Sequence, residues 1–192
     1  MLADYYRNKR VIVSGCSSGI GRATAELLSR FGAEVYGLDT QLPKFEIGAF
    51  APADLRDPTT IDAALDRVGG RIDCLFNCAG VGLGHAPLDV LKVNFLGTRY
   101  LAERTLEQMG VGGAIASVAS NGGLGWRKRL PELLELLEIG YFGSAVRWCQ
   151  EQLAGSTLQS VGGDAYRFSK EALILWTMRQ SSRLIRLGIR IN

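Results

Sequence analysis

The stretch RVIVSGCSSGIGRATAELLSRF, Arg10 to Phe31, decides the fold. Arg10 to Ser14 is a short apolar run that reads as a strand. From Gly19 to Phe31 the apolar residues Ile20, Ala23, Leu27 and Leu28 recur with helical periodicity, and Gly32 follows at the C-terminal end. Between strand and helix lie Gly15, Gly19 and Gly21. A Cβ in such a turn would block either the turn or the close approach of a pyrophosphate. The start of the following helix offers free N–H groups and a partial positive charge to phosphates. Gly15, Ser17, Ser18, Gly19, Ile20 and Gly21 are therefore expected to line a dinucleotide.

Two further features support that reading. Asp39 lies 18 residues after Gly21, at the end of a second apolar strand, Glu34 to Leu38. A carboxylate there bonds the adenosine ribose hydroxyls and repels a 2′-phosphate, which favours NAD over NADP. No Lys or Arg occupies Cys16 to Ser18. Taken alone, Asp39 also suits a turn. The second feature is DAYRFSKEAL, where Tyr166 and Lys170 stand four apart on one helix face. An ammonium beside a phenol favours the phenolate and fits Tyr for acid/base work near neutral pH. In isolation such a pair is more often a solvated helix face.

Outward from these motifs, strands and helices alternate. A loop with a possible short strand spans 40–53, a helix begun by Asp57 spans 58–68, and a strand spans 74–77. A long helix containing Asn94 covers 87–109, a strand 113–118, a long helix 163–187 ended by Gly188, and a further strand 189–192. That order argues an α/β fold: a Rossmann-type, doubly wound parallel sheet with helices on both faces, in one domain of residues 1–192. One segment breaks the rhythm. Residues 125–162 carry Leu130, Leu133, Leu134, Leu136 and Leu137 interleaved with acids, then a second helix over 143–153. Its apolar faces require the domain body, a ligand or another subunit.

Composition excludes several classes. Hydrophobic residues at 47% and charged residues at 21% suit a globular domain with a sizeable core. A net charge of +3 with scattered basic residues gives no basis for nucleic-acid binding. No apolar run is long enough to span a membrane, and MLADYYRNKR, which runs straight into the first strand, has no secretory apolar core. The four Cys lack C-x-x-C spacing; Cys74 and Cys78, flanking an apolar strand, read as core thiols, and the pattern suits a reduced cytoplasmic protein. His85 is the single His, so no His-based metal cluster is expected.

With the Gly-x-x-x-Gly-x-Gly spacing, Asp39, NCAG (Asn77 to Gly80), Asn94 in KVNFLG, Ser117 and YRFSK in order, the chain resembles the short-chain dehydrogenase/reductase family over nearly its whole length. The resemblance is strongest to the branch of bacterial 3α-hydroxysteroid dehydrogenase/carbonyl reductases and coniferyl-alcohol dehydrogenases, which carries a similar insertion. It implies that Asp54, followed by Leu55, contacts adenine, and that Asn77, Ala79 and Gly80 steady the sheet beside the cofactor. It implies that the backbone of Asn94 holds a relay water, Tyr166 is the acid/base, and Lys170 bonds the nicotinamide ribose and lowers the Tyr pKa. Ser117 takes the place of the catalytic serine, with Ser120 its rival. It stands 49 residues before Tyr166, a gap that the insertion explains.

Two departures from the family stand out. Cys78 replaces the second Asn of the common NNAG, and the chain ends at Asn192, before the last strands and the substrate-covering loop. The resemblance implies an NAD-dependent oxidoreductase acting on a small apolar alcohol or its carbonyl, a 3α-hydroxysteroid or an aryl alcohol. The alternative is a non-catalytic NAD-binding or interaction protein on the same scaffold. A homodimer or homotetramer is expected. The insertion lies beside the helix surface through which most members pair and alters that pairing.

Overall fold

The computed structural model describes residues 2–82, 84–155 and 163–192. A short helix α1 (Leu2–Tyr6) precedes β1 (Arg10–Ser14), α2 (Gly19–Arg30), β2 (Glu34–Asp39), β3 (Ala49–Pro52), α3 (Pro58–Val68) and β4 (Ile72–Asn77). Helix α4 (Pro87–Leu91) passes through a π-helical turn, Lys92–Gly97, into α5 (Thr98–Leu106), and β5 (Met109–Ser117) follows. Then come α6 (Leu130–Glu138), α7 (Phe142–Ala154), α8 (Gly163–Leu184) and β6 (Arg190–Ile191). All strand pairs are parallel, in the order β3-β2-β1-β4-β5-β6. The order reverses between β1 and β4, and the carboxyl ends of these strands frame a crevice there.

Strand β1 shows why the sheet lies in the middle. Val11, Ile12 and Val13 are all fully buried, as expected where helices cover both faces. Successive side chains point to opposite faces. Ile12 joins the core with α3, α5 and α8, while Val11 and Val13 pack with Ala25 and Leu28 of α2. Helix α3 begins where Asp57 accepts a hydrogen bond from the Thr59 N–H at 2.9 Å, with Pro58 at its first position.

Three local expectations change. The N-terminal residues do not run straight into β1. They form α1, whose Tyr6 ring stacks on Phe31 at 6.4 Å. A helix of five residues is too short for periodicity to show it. The helix expected over 87–109 ends at Leu106, and Met109 already pairs with Ile72 in β5. Its middle is widened by the π-turn, an arrangement frequent at functional sites.

The described part of the 125–162 insertion packs on the body of the domain. Leu133, Leu136 and Leu137 of α6 and Ala145, Trp148 and Cys149 of α7 are buried in the main core. Trp148 stacks on Phe168 of α8 at 6.0 Å, and Phe142 meets Tyr100 of α5 edge-on at 6.1 Å. Arg129 reaches Asp164 and Glu171 of α8 at 3.6 and 3.9 Å. The end of the insertion, residues 156–162, lies outside the described residues.

The π-turn seats closely on the β3–α3 loop. A Cβ on Gly97 would lie 1.9 Å from the Leu55 carbonyl oxygen. Gly97→Ala is expected to lower stability by about 3 kcal/mol in urea unfolding. Gly143→Ala in α7, where the added methyl meets open space, should not lower it.

Candidate active site

The glycine turn is built by contact with the end of β4. Gly15 has φ +70°, and a Cβ there would sit 2.7 Å from the Ala79 backbone. A Cβ on Gly21 would strike the Gly15 carbonyl oxygen at 2.1 Å, so α2 rests directly on the turn. Ser14 joins the two segments. Its buried hydroxyl accepts hydrogen bonds from the Cys78 and Ala79 N–H groups at 3.2 and 3.3 Å. Sequence reasoning missed this residue, whose only signal is a serine at the last position of an otherwise apolar strand. Cys78 therefore leaves the turn in place, since its backbone makes the bond.

The front of α2 is open. Ser18 stands at its N-cap in an extended conformation without a side-chain cap, which leaves first-turn N–H groups for a ligand. Nothing lies within 4 Å of the open side of Gly19, and Ile20 is largely exposed beside it. Ser17 turns toward the acid at the end of β2. Its N–H donates to Asp39 Oδ2 at 3.0 Å, and its hydroxyl donates to the Gln41 carbonyl. Asp39 Oδ1 accepts from the Gln41 N–H at 3.1 Å, so the carboxylate is oriented from both sides. Asp54 lies further along. Leu55 is buried behind it, and Arg56 holds the carboxylate and keeps it below the usual carboxylate range. A cavity of about 380 Å³ runs from Asp54 and Asp39 past Gly15, Ser18 and Ile20 to Gly80.

At Cys78, Gly80 and Val81 this cavity meets a wider cleft of about 940 Å³ that contains Tyr166 and Lys170. Lys170 Nζ donates to the Val118 carbonyl at 2.8 Å and lies 5.9 Å from the centre of the Tyr166 ring. Burial holds its ammonium below the usual lysine range. Asn94, fully buried, binds the Val81 backbone in both directions: Oδ1 accepts its N–H at 2.8 Å, and Nδ2 donates to its carbonyl at 2.9 Å. The same Nδ2 donates to Ser169 Oγ at 3.3 Å, and Ser169 donates to the Tyr166 carbonyl at 2.7 Å. Ser169 was missed as well, although it stands directly before Lys170.

The two serines differ. Ser117 Oγ accepts from Asn77 Nδ2 at 3.2 Å, and it ends β5 beside Asn77 in the register of the sheet. Ser120 lines the cleft with Tyr166. Its hydroxyl is taken up locally, accepting from the Gly122 N–H at 3.1 Å and bonding Asn121 Oδ1 at 3.3 Å. His85 is exposed on the wall of the first cavity. Among the described residues no three His, Cys, Asp or Glu side chains group to hold a metal ion, and no helix is long and apolar enough to cross a membrane.

Comparison with known proteins agrees with this fold. The chain is 37% identical over 186 residues to a coniferyl-alcohol dehydrogenase of Pseudomonas sp. (strain HR199 / DSM 7063), covering 96% of this chain and 71% of the relative. It is 29% identical over 189 residues to a 3-alpha-hydroxysteroid dehydrogenase/carbonyl reductase of Comamonas testosteroni, covering 95% of this chain and 69% of the relative. Among solved structures, the 3-alpha-hydroxysteroid dehydrogenase of Pseudomonas sp. B-0831, complexed with NADH, superposes with a TM-score of 0.75 at 29% identity, over 96% of this chain and 70% of that one. A short chain dehydrogenase of Burkholderia cenocepacia J2315, in complex with NADP, gives a TM-score of 0.66 at 26% identity, over 96% of this chain and 71% of that one. The short chain dehydrogenase family model matches residues 9–130. With the glycine turn, the buried Asn94 and the Tyr166–Lys170 helix arranged as described, the chain belongs to the short chain dehydrogenase family.

Proposed function

We propose that this protein is an NAD(H)-dependent oxidoreductase that interconverts an apolar alcohol and its carbonyl compound, with Tyr166 as the acid/base. One observation carries the reading: the cavity of Gly15, Asp39 and Asp54 continues through Gly80 into the cleft of Tyr166 and Lys170. The residues present fit a dinucleotide. The glycine turn leaves open space before an uncapped helix start, and fixed carboxylates stand at the far end. The bound nicotinamide supplies the hydride acceptor or donor.

In the oxidative direction, Tyr166 phenolate takes the proton of the substrate hydroxyl. The Lys170 ammonium stands 5.9 Å from the centre of the Tyr166 ring. Ser117, which ends β5, is the proposed donor to the substrate oxygen; the serine on the wall of the Tyr166 cleft is Ser120. The Ser117 hydroxyl hydrogen has no described acceptor, whereas the Ser120 hydroxyl is occupied by its own turn. Asn94 holds the Val81 segment and α8 in register. Asp39 favours NAD over NADP because a 2′-phosphate would meet a fixed carboxylate. The names of the relatives support the substrate class, an aryl alcohol or a 3α-hydroxysteroid.

The insertion, packed over α4 and α8, supports an altered pairing of subunits, most simply a homodimer. The four free thiols, three of them buried, support a reducing cytoplasmic setting.

Tyr166→Phe should lower turnover of a panel of apolar alcohols by about 10²–10⁴-fold while leaving NADH binding unchanged. Ser117→Ala should lower it more than Ser120→Ala, and the reverse order would assign the role to Ser120. Asp39→Ala should narrow the preference for NADH over NADPH in fluorescence titration. Tighter binding of NADPH by the unmodified chain would overturn the assignment of Asp39. Lys170 gives a pH prediction. Its folded pKa lies below the unfolded value of about 10.4, so the unfolded chain binds more protons between the two. The buried charge therefore costs stability at neutral pH, and the cost disappears as pH rises through that window. Lys170→Met should raise the urea midpoint relative to the unmodified chain at pH 7, with the gap closing toward pH ~10, while turnover is lost. A gap that widens with pH would contradict burial as the cause.

A further inference from the structure

The wall of the Tyr166 cleft carries charge of one sign. Among the described residues its Arg and Lys are Arg167 and Lys170, and no Asp or Glu stands with them. The first cavity is the reverse: Asp39, Asp54 and Asp89 line it, and among the described residues Arg56 is the one Arg or Lys beside them. Lys170 is buried, and its Nζ is directed to the Val118 carbonyl at 2.8 Å. Arg167 is the exposed cation, with 65% of its side chain open to solvent.

Arg167 stands beside the reacting group. It follows Tyr166 on α8, and both side chains pack against the turn after Ser120. A Cβ on Gly122 would lie 3.6 Å from Tyr166 Cε1 and 3.7 Å from Arg167 Cγ. Within α8, Arg167 Nη1 lies 3.9 Å from Asp164 Oδ1, beyond hydrogen-bond reach. The same oxygen faces Arg129 Nη2 at 3.6 Å, so two guanidiniums share it. A loose i, i+3 pair at an exposed site is weak, and turning the guanidinium toward a ligand costs little.

An exposed cation in a cleft whose described wall holds no acid attracts an anion. Arg167 is not on the wall of the first cavity, so the phosphates that suit the glycine turn are not that anion. The planar guanidinium matches a carboxylate in two-point contact. We propose that Arg167 is a specificity-determining residue: it receives a carboxylate carried by the substrate, on an otherwise apolar alcohol whose hydroxyl meets Tyr166. This rests on the oxidoreductase reading and narrows its substrate to an alcohol that is also an acid. Val81, Val118 and Ala119 on the same wall suit the apolar body between the two ends.

The test compares acids with their own methyl esters, which differ in charge and little in shape. The probes are 3- and 4-(hydroxymethyl)benzoate, 4-(hydroxymethyl)cinnamate and a 3α-hydroxysteroid with a side-chain carboxylate, each beside its ester. NAD is the oxidant, and NADH absorbance is the readout. The full chain should oxidise at least one acid with a kcat/KM about fivefold above that of its ester, the scale of an ion pair near a surface. Arg167→Met should bring that ratio to about one, through the KM of the acid rather than kcat, because binding and not chemistry is lost. Arg167→Lys should keep part of the ratio, since an ammonium retains the charge without the planar fork. Arg167→Glu should invert it. Raising the salt from ~0.05 to ~0.5 M should shrink the ratio for the unmodified chain and leave that of Arg167→Met in place. A merely structural role would lower acid and ester alike in Arg167→Met, and that result would overturn the proposal. Esters oxidised as well as, or better than, every acid by the unmodified chain would overturn it too. A chain that oxidises neither acids nor esters would overturn the oxidoreductase reading itself.

Discussion

The arrangement of the site depends on the buried amide of Asn94, because three chain segments meet there. Its two bonds to the Val81 backbone fix the segment after β4 where the two cavities meet. Its third bond, to Ser169, reaches the helix that carries Tyr166 and Lys170. A fully buried amide without these partners would leave polar atoms stranded, a cost of about 1–3 kcal/mol each. Around Asn94 the helix widens into the π-turn. Gly97, at its end, allows the turn to lie against the Leu55 carbonyl, which brings the loop of Asp54 and Arg56 under the same helix.

Charge is distributed along the crevice by position. At the far end, Asp39, Asp54 and Asp89 are held by backbone N–H groups and by Arg56. At the near end stands the buried Lys170, whose Nζ donates to the Val118 carbonyl. Between them lies the open start of α2, whose partial positive charge suits the phosphate part of a dinucleotide. The polarity of the crevice thus follows the order of hydroxyls, phosphates and reacting ring that the family fold accommodates at the switch between β1 and β4.

The insertion adds rigidity to the near end. Leu133 and Leu136 of α6 and Trp148 of α7 are buried with Phe168, two residues after Tyr166. Arg129 sits over the Phe168 ring at 6.0 Å and faces Glu171, the neighbour of Lys170, whose carboxyl burial pushes above the usual range. The inserted helices therefore brace the face of α8 opposite the cleft.

The strand–turn–helix of Arg10 to Arg30, the second strand ending at Asp39 and the i, i+4 pair on α8 were all legible in the residues, because each depends on local periodicity and on glycine or charge at fixed offsets. Helix α1 and the π-turn were not. The first is too short for a pattern, and the second arises from a tertiary contact between Gly97 and Leu55. Ser14, Arg56 and Ser169 were silent for a related reason. Their partners lie on segments brought near by the fold, such as Cys78 for Ser14, Asp89 for Arg56 and Asn94 for Ser169. The sequence by itself determined the alternation of elements, the glycine turn and the Tyr166–Lys170 pair, all set by short-range chemistry. The tertiary structure alone decided where the insertion's apolar faces are buried and how the Asn94 amide joins loop to helix. Each of these depends on distances between residues far apart in the chain.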